Sequence, residues 1–358
     1  MSPTTIIALS AEPLTLPLTE PFAIATGAQH EARNVLVRVR LADGTEGLGE
    51  AAPFPAVSGE TQEGTLAALA PLRELLPGRD ARAWRPLATW LTETLPHQPS
   101  ARCGVETALL DALCRHHRVP LSVFFGGAGT ELDIDMTVTA GDRAHAESSA
   151  RAILARGIHT LKVKVGALSP EADVERLVAI HAVAPRARLF ADANGGYTLA
   201  GARTFLAALE RARVPLSLLE QPVAAEDFEG MAALTRESRV PVCADESARS
   251  AADVLRLIRE RAAHGINIKT MKCGLVEALA MWQLARAAGL ELMVGGMVES
   301  TLAMSASAHL AAGLGGFTYA DLDTPLFIAR HPFQGGATYS GERLSVAHAV
   351  AGHGVTLA

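Results

Sequence analysis

From about residue 133 the chain repeats one pattern eight times: a short apolar run, a polar turn, then an Ala-rich amphipathic stretch. The apolar runs are "DIDMTVTA" (133–140), "HTLKVKVG" (159–166), "ARLFADAN" (187–194), "LSLLEQP" (216–222), "VPVCADES" (240–247), "GINIKTMK" (265–272), "LELMVGG" (290–296) and "GFTYADLD" (316–323). Between them lie helical patterns such as "ADVERLVAIHAVA", "AGARTFLAALERA" and "LVEALAMWQLARAAG". Strands that alternate with helices in this way run parallel, because each helix crosses back over the sheet. Eight units over roughly 200 residues predict an α/β fold, a (β/α)8-type barrel modified in its last unit. A doubly wound sheet would need a Gly-rich phosphate turn after its first strand. "FGGAGTELD" (125–133) has the glycines but precedes a strand.

The first 125 residues read differently. "RNVLVRVRLADGTEGLGE" (33–50) alternates around an Asp-Gly turn and predicts an antiparallel hairpin. Helical patterns follow in "ETQEGTLAALAPLRELL" and "ARCGVETALLDALCRHH". The expected organisation is an α+β cap over 1–125, a barrel over 126–326, and a segment over 327–358 that returns to the cap through a hairpin at "GGATYSGERLSV".

With a net charge of −6 and no dense basic block, nucleic acid is not an expected partner; aromatics at 4% also argue against base stacking. No apolar run approaches the ~20 residues of a membrane span, and no leader pattern opens the chain. Cys103, Cys114, Cys243 and Cys273 form no close pair, which suits reduced thiols in the cytoplasm.

In a barrel the reactive groups sit at the C-terminal ends of the strands, around one mouth. Those ends carry Lys162 and Lys164, Asp192 and Asn194, Glu220, Asp245 and Glu246, Lys269, and Asp321 and Asp323. From Lys164 through Asp192, Glu220 and Asp245 to Lys269 the steps are 28, 28, 25 and 24 residues, each about one βα unit. Asp192, Glu220 and Asp245 are thus three carboxylates from neighbouring strands. Each alone could cap the following helix. Together they would repel, and an oxygen-only cluster suits Mg²⁺ better than zinc, since no His or Cys joins it.

Lys162 and Lys164 alternate onto one face of their strand and need negative partners there. Lys164 on the second strand and Lys269 on the sixth would stand opposite each other. Two opposed lysines suit two bases, one for each face of a flat intermediate. Burial, Mg²⁺ and Lys162 would lower their pKa toward neutrality. Lys162 reads equally as a counter-ion to the carboxylates or as a group that touches substrate.

These residues, with the motifs "KVKVG", "DAN", "EQP", "ADES" and "NIKTMKCG" in order, resemble the enolase superfamily, in its muconate-lactonising-enzyme-like subgroup. Sites of that superfamily use a Lys or His base with Mg²⁺ beside an ene-diolate, as is generally described. The resemblance covers essentially the whole chain. It implies Asp192, Glu220 and Asp245 as Mg²⁺ ligands, Lys164 and Lys269 as the acid/base pair, and Lys162 as the group that polarises a substrate carboxylate. It also admits a homo-oligomer.

"GGMVES…YADLDTP" is similar to the dipeptide epimerases, in which an Asp-x-Asp pair holds the substrate's ammonium; Asp321 and Asp323 would share a face for that task. Relatives specific for L-Ala-D/L-Glu carry an arginine in the lid, here "PFAIATGAQHEARN" (21–34). The matching place is Thr26-Gly27-Ala28, and Arg33 is expected to begin the hairpin. A substrate glutamate would go unpaired there. Ile24, Thr26, Phe54, Val57 and Met297 are therefore the expected lining of a pocket for an apolar or aromatic C-terminal residue, with His30 facing solvent. The expectation is a Mg²⁺-dependent dipeptide epimerase. An N-acylamino-acid racemase or o-succinylbenzoate synthase of the same superfamily is the alternative. A non-catalytic binding barrel leaves the opposed lysines unexplained, and a Schiff-base lyase leaves the three carboxylates unexplained.

Overall fold

The computed structural model describes residues 1–24 and 27–358. Three antiparallel strands open the chain: β1 (Ile6–Ile24), β2 (Gly27–Leu41) and β3 (Glu46–Ala51). The β2–β3 turn uses the expected Asp-Gly pair. Gly44 takes a φ of +90°, and the Asp43 carboxylate accepts the Thr45 N–H at 2.9 Å. The hairpin does not begin at Arg33, however. That residue lies inside β2 opposite Thr15, and β1 pairs with β2 from Ile6↔Leu41 to Ile24↔Gly27. Lid and cap sheet are therefore one long hairpin.

The helix Pro99–His117 packs across this sheet and is buried over Ser100–Cys114. Its close approach requires glycine: a Cβ on Gly49 would sit 2.0 Å from the Gly104 carbonyl oxygen.

A short strand, β4 (Glu131–Asp133), leads into eight parallel strands: β5 (Met136–Val138), β6 (Thr160–Lys164), β7 (Arg188–Asp192), β8 (Leu218–Glu220), β9 (Val242–Ala244), β10 (Gly265–Lys269), β11 (Glu291–Gly295) and β12 (Tyr319–Asp321). They pair in sequence order from β5 to β12. The seam between the first and last is joined by the Asp135 N–H donating to the Ala320 carbonyl at 3.0 Å, and by the Thr137 N–H donating to Asp323 Oδ2 at 2.7 Å. All eight apolar runs read from the sequence contain these strands.

The crossover helices start where small polar residues cap them. Asp142, Ser169, Thr198, Asp227, Ser250 and Ser300 each accept an N–H from the first turn that follows. Helix-facing residues such as Leu161, Val163, Leu189 and Ile268 fill the layer between sheet and helices. The barrel's interior floor is Phe190, Leu218, Cys243, Met293 and Tyr319.

The tail forms β13 (Phe333–Gly335), β14 (Thr338–Ser340), β15 (Arg343–Ser345) and β16 (Val355–Leu357). β14 and β15 make the expected hairpin, and β15 pairs with β4. Beyond it the tail meets the cap helix, where Arg115 donates to the Val355 carbonyl at 2.6 Å. Among the described residues no helix is long and apolar enough to cross a membrane.

Candidate active site

Parallel register sets the site. Lys164 pairs with Asp192 and Asp192 with Glu220, so one row of strand ends brings these groups side by side. Asp245 follows two residues after Cys243, the partner of Glu220. On the far wall Lys269 pairs with Gly295 and Gly295 with Asp321. Lys164 and Lys269 thus stand on the second and sixth strands of eight, on opposite sides of the mouth.

The lysines answer the carboxylates in pairs. Lys164 Nζ lies 2.6 Å from Asp192 Oδ2, and Lys269 Nζ lies 2.7 Å from Asp245 Oδ2. Lys162, wholly buried, bridges three acids: Asp321 at 2.6 Å, Glu220 at 2.7 Å and Asp192 at 3.2 Å. Its arrangement here is the counter-ion reading. Lys272, which the sequence reading passed over, donates to Asp245 and to the Asn267 carbonyl at 3.0 Å.

Charge at the site follows from these neighbours. Burial works against the Asp245 carboxylate, but Lys269 and Lys272 outweigh it and hold the group well below the usual range. Asp192 is held low against its burial by Lys164, Lys162 and Lys269. Glu220 goes the other way: burial, with Asp192 beside it, pushes it up to about 7. Burial and Lys162 do pull Lys269 downward as expected. Asp245, with Glu220 and Asp321, outweighs them, so Lys269 stands above its ordinary value rather than near neutrality. The carboxylates a cation would neutralise are what raises it.

The three carboxylates share no common focus among the described residues, because each is turned to an ammonium group. Their chemistry nevertheless fits a hard divalent cation. Glu220 Oε2 is 2.7 Å from Lys162 Nζ but off the direction of a hydrogen bond, and it has no hydrogen-bond partner. Asn194 Oδ1, Glu246 Oε2 and Asn267 Oδ1 are likewise buried and unpartnered. All three belong to residues around that cluster: Asn194 donates to Asp192 and Glu246, and Asn267 donates to Glu220 at 2.8 Å. A ring of orphaned oxygen acceptors around three carboxylates is the donor set that Mg²⁺ takes.

A narrow cleft of about 20 Å³ lies over these groups. It is lined by Lys164, Lys269 and Asp321, by Asn194 and Glu246, and by Phe22, Ile24, Phe54, Val57, Gly296, Met297 and Thr324. The structure thus brings Ile24, Phe54, Val57 and Met297 together with the two opposed lysines. Phe22 and Thr324 were missed, as was Asn267. The alternation that singled out Lys162 and Lys164 would have found Asn267, two residues before Lys269.

Thr26, an expected lining residue, lies outside the described residues. Asp323 does not line the cleft with Asp321, because the strand ends at Asp321 and Asp323 enters a helical turn at φ −92°, ψ −13°. One of its oxygens, Oδ2, accepts the Thr137 N–H at the barrel seam, and the other, Oδ1, is buried without a hydrogen-bond partner. Arg33 stays away from the cleft and pairs with Glu63 on the outer surface, where His30 is also exposed.

Comparison with known proteins identifies the family. Residues 7–126 match the family described as mandelate racemase / muconate lactonizing enzyme, N-terminal domain, and residues 144–358 match the enolase C-terminal domain-like family. Over 356 residues, 99% of this chain and 100% of the relative, the sequence is 59% identical to an aromatic dipeptide epimerase from Herpetosiphon aurantiacus. The crystal structure of a mandelate racemase/muconate lactonizing protein from Herpetosiphon aurantiacus matches with a TM-score of 0.98 at 58% identity, covering 100% of both chains. A dipeptide epimerase from Enterococcus faecalis V583, solved with Mg and the dipeptide L-Leu-L-Tyr, matches with a TM-score of 0.93 at 31% identity, over 98% of this chain and 99% of that one. The chain therefore belongs to the mandelate racemase/muconate lactonizing enzyme family of the enolase superfamily.

Proposed function

We propose that this protein is a Mg²⁺-dependent dipeptide epimerase that inverts the α-carbon of the C-terminal residue and favours apolar or aromatic residues there. One observation carries the reading: Lys164 and Lys269 stand on opposite sides of a single cleft that Asp321 also lines, each lysine paired with a carboxylate of the buried cluster, Asp192 and Asp245. The Herpetosiphon aurantiacus relative acts on aromatic dipeptides by its name, and the Enterococcus faecalis relative was solved with Mg and a dipeptide, which supports both halves of the proposal.

Asp192, Glu220 and Asp245 would hold the cation, which would supply positive charge that favours an enediolate over the ground state. Lys269 would then lose part of the acidic support that favours its ammonium form. One lysine, as the free amine, takes the α-proton from its face. The opposite lysine, as the ammonium, delivers a proton to the other face, so the centre inverts and the pair exchanges protonation states. Lys162 balances the carboxylates beneath. Asp321 accepts the substrate's ammonium from the rim.

The side-chain preference rests on the lining. Phe22, Ile24, Phe54, Val57 and Met297 present apolar surface, and the cations of the cleft among the described residues are Lys164 and Lys269, both already committed to acids. A substrate glutamate would find no free cation to offset its desolvation.

The test is mass spectrometry of L,L-dipeptides incubated with protein and Mg²⁺ in D₂O. A one-dalton gain for Ala-Phe or Ala-Leu but not Ala-Glu is the expected result. Exchange restricted to N-acyl amino acids would replace the proposal with a racemase. Asp321→Asn is expected to lose dipeptide turnover mainly through KM.

A further inference from the structure

Glu50, at the end of β3 in the cap, is wholly buried, yet three of its four hydrogen bonds come from the barrel. Its Oε1 accepts the Ser300 N–H at 3.0 Å and the Asn34 side-chain amide at 2.6 Å. Its Oε2 accepts the Ser300 hydroxyl and, at 3.2 Å, the Ala303 N–H. The first N–H groups of a helix lack partners within it, and that end carries positive partial charge. The helix Thr301–Leu314 therefore has two caps: its own Ser300, which accepts the Leu302 N–H, and a carboxylate borrowed from the cap domain.

Asn34 extends the same link. Besides binding Glu50, its amide donates to the Val298 carbonyl at 2.9 Å. It stands on β2, the strand that with β1 carries Phe22 and Ile24 over the cleft. Gly296 and Met297, which line the cleft, begin the segment that runs from β11 to the doubly capped helix. The remaining anchors of that segment come from the barrel itself. Glu299 accepts the Met297 N–H at 2.7 Å, and Thr324 exchanges hydrogen bonds with the Glu299 backbone at 3.1 and 3.0 Å.

We infer that Asn34 and Glu50 are positioning residues for side-chain selection: they fix the 296–300 segment, and Met297 with it, against the lid borne by the same hairpin. Neither residue lines the cleft. Their effect passes through the distance between Met297 on one wall and Phe22 and Ile24 on the other. That distance sets how large a C-terminal side chain is gripped. The inference rests on the epimerase reading for its substrate, but the latch itself is visible without any substrate.

The experiment compares wild type with Asn34→Ala, Glu50→Gln and Glu50→Ala. Asn34→Ala removes the link to Val298 and leaves the helix cap in place, so it is the variant least prone to misfold. Amide hydrogen exchange without substrate is expected to quicken over residues 296–303 and to stay unchanged across the β1–β2 core. KM for Ala-Phe is expected to rise about tenfold with kcat within about twofold, the pattern of lost uniform binding. KM for Ala-Ala, which does not reach the wall, is expected to stay near its wild-type value. Glu50→Gln keeps one acceptor oxygen and is expected to fall between wild type and Glu50→Ala. Equal KM changes for Ala-Phe and Ala-Ala, or faster exchange throughout the cap, would show Glu50 and Asn34 to be general structural glue and overturn the inference. If wild type exchanges no dipeptide, the epimerase reading fails, and the amide-exchange result still decides whether the latch exists.

Discussion

Lys164 and Lys269 are held by different acids, Asp192 and Asp245, and this separation gives each its own side of the cleft. Lys164→Ala and Lys269→Ala are each expected to reduce epimerisation by roughly 10²–10⁴-fold, the usual worth of a positioned acid or base. Each variant should still exchange the α-hydrogen of one enantiomer, a different one in each case, because the remaining lysine still faces its own side. NMR of L,L- and L,D-dipeptides in D₂O checks this; epimerisation surviving in both variants would defeat the two-base scheme. A second expectation concerns Glu299. Its burial pushes the carboxyl up to about 8, although the Met297 N–H it accepts pulls it down. A folded-state pKa above the unfolded value means stability that is complete below about 4.5 and lost as pH rises through about 8. The depressed groups Asp192, Asp245 and Asp321 act in the opposite sense, but only as pH falls below about 3.8. Glu299→Gln is therefore expected to flatten the decline of thermal stability between about pH 5 and 8, measured by calorimetry on metal-free protein. At this scale the charged residues were legible wherever unit spacing or strand alternation applied, as for Lys164, Asp192, Glu220, Asp245 and Lys269. Alternation could not fix where Asp323 points, because the strand ends at Asp321 and a helical turn begins at Thr324.

Among elements, the eight strands of the barrel announced themselves because each is buried on both sides and bounded by a helix start. The β1–β2 hairpin did not. Pro13, Pro17 and Pro21 interrupt the first strand, and the register shifts between Pro17 and Phe22, so its pattern reads as loop. The helix Pro99–His117 was visible as a helix, but its burial over Ser100–Cys114 was not, since it lies between cap sheet and barrel rather than at a surface. That position makes small residues obligatory along its contact with β3. Gly49→Ala would drive a Cβ to 2.0 Å from the Gly104 carbonyl, a backbone atom that cannot rotate away. Overpacking of a fixed contact costs about 1–3 kcal/mol or more. Urea unfolding is expected to show at least that loss, and the site should weaken too, because β3 carries Glu50 toward the loop of Met297. An unaltered midpoint would mean that the sheet can slide off the helix without cost.

For the molecule as a whole, cap, helix and tail converge on Asp111, which is wholly buried. Its Oδ2 accepts the Leu48 N–H of β3 at 3.0 Å and Arg115 Nε at 2.7 Å, while its Oδ1 accepts the His353 N–H at 3.0 Å. His353 returns a ring-nitrogen contact to the Leu48 carbonyl at 2.9 Å, and Arg115 reaches the Val355 carbonyl. The tail's hairpin could be read from its sequence; this junction could not, because Asp111 and His353 lie 242 residues apart and a lone buried contact leaves no local pattern. Asp111→Ala would leave two backbone N–H groups and the half-buried Arg115 guanidinium without their acceptor. Breaking a buried charge network by removing one partner costs about 3–5 kcal/mol. The loss should be shared by all three parts, since one carboxylate serves all of them. Wild type is therefore expected to unfold in one transition, with calorimetric and van't Hoff enthalpies equal. Asp111→Ala is expected to unfold at lower temperature, with the tail released first as a separate, smaller transition. Proteolysis at the tail below the main transition, in the variant and not in wild type, is the direct check. If the variant melts in one step at the wild-type temperature, the three segments are held together by their apolar contacts alone and the Asp111 network adds nothing.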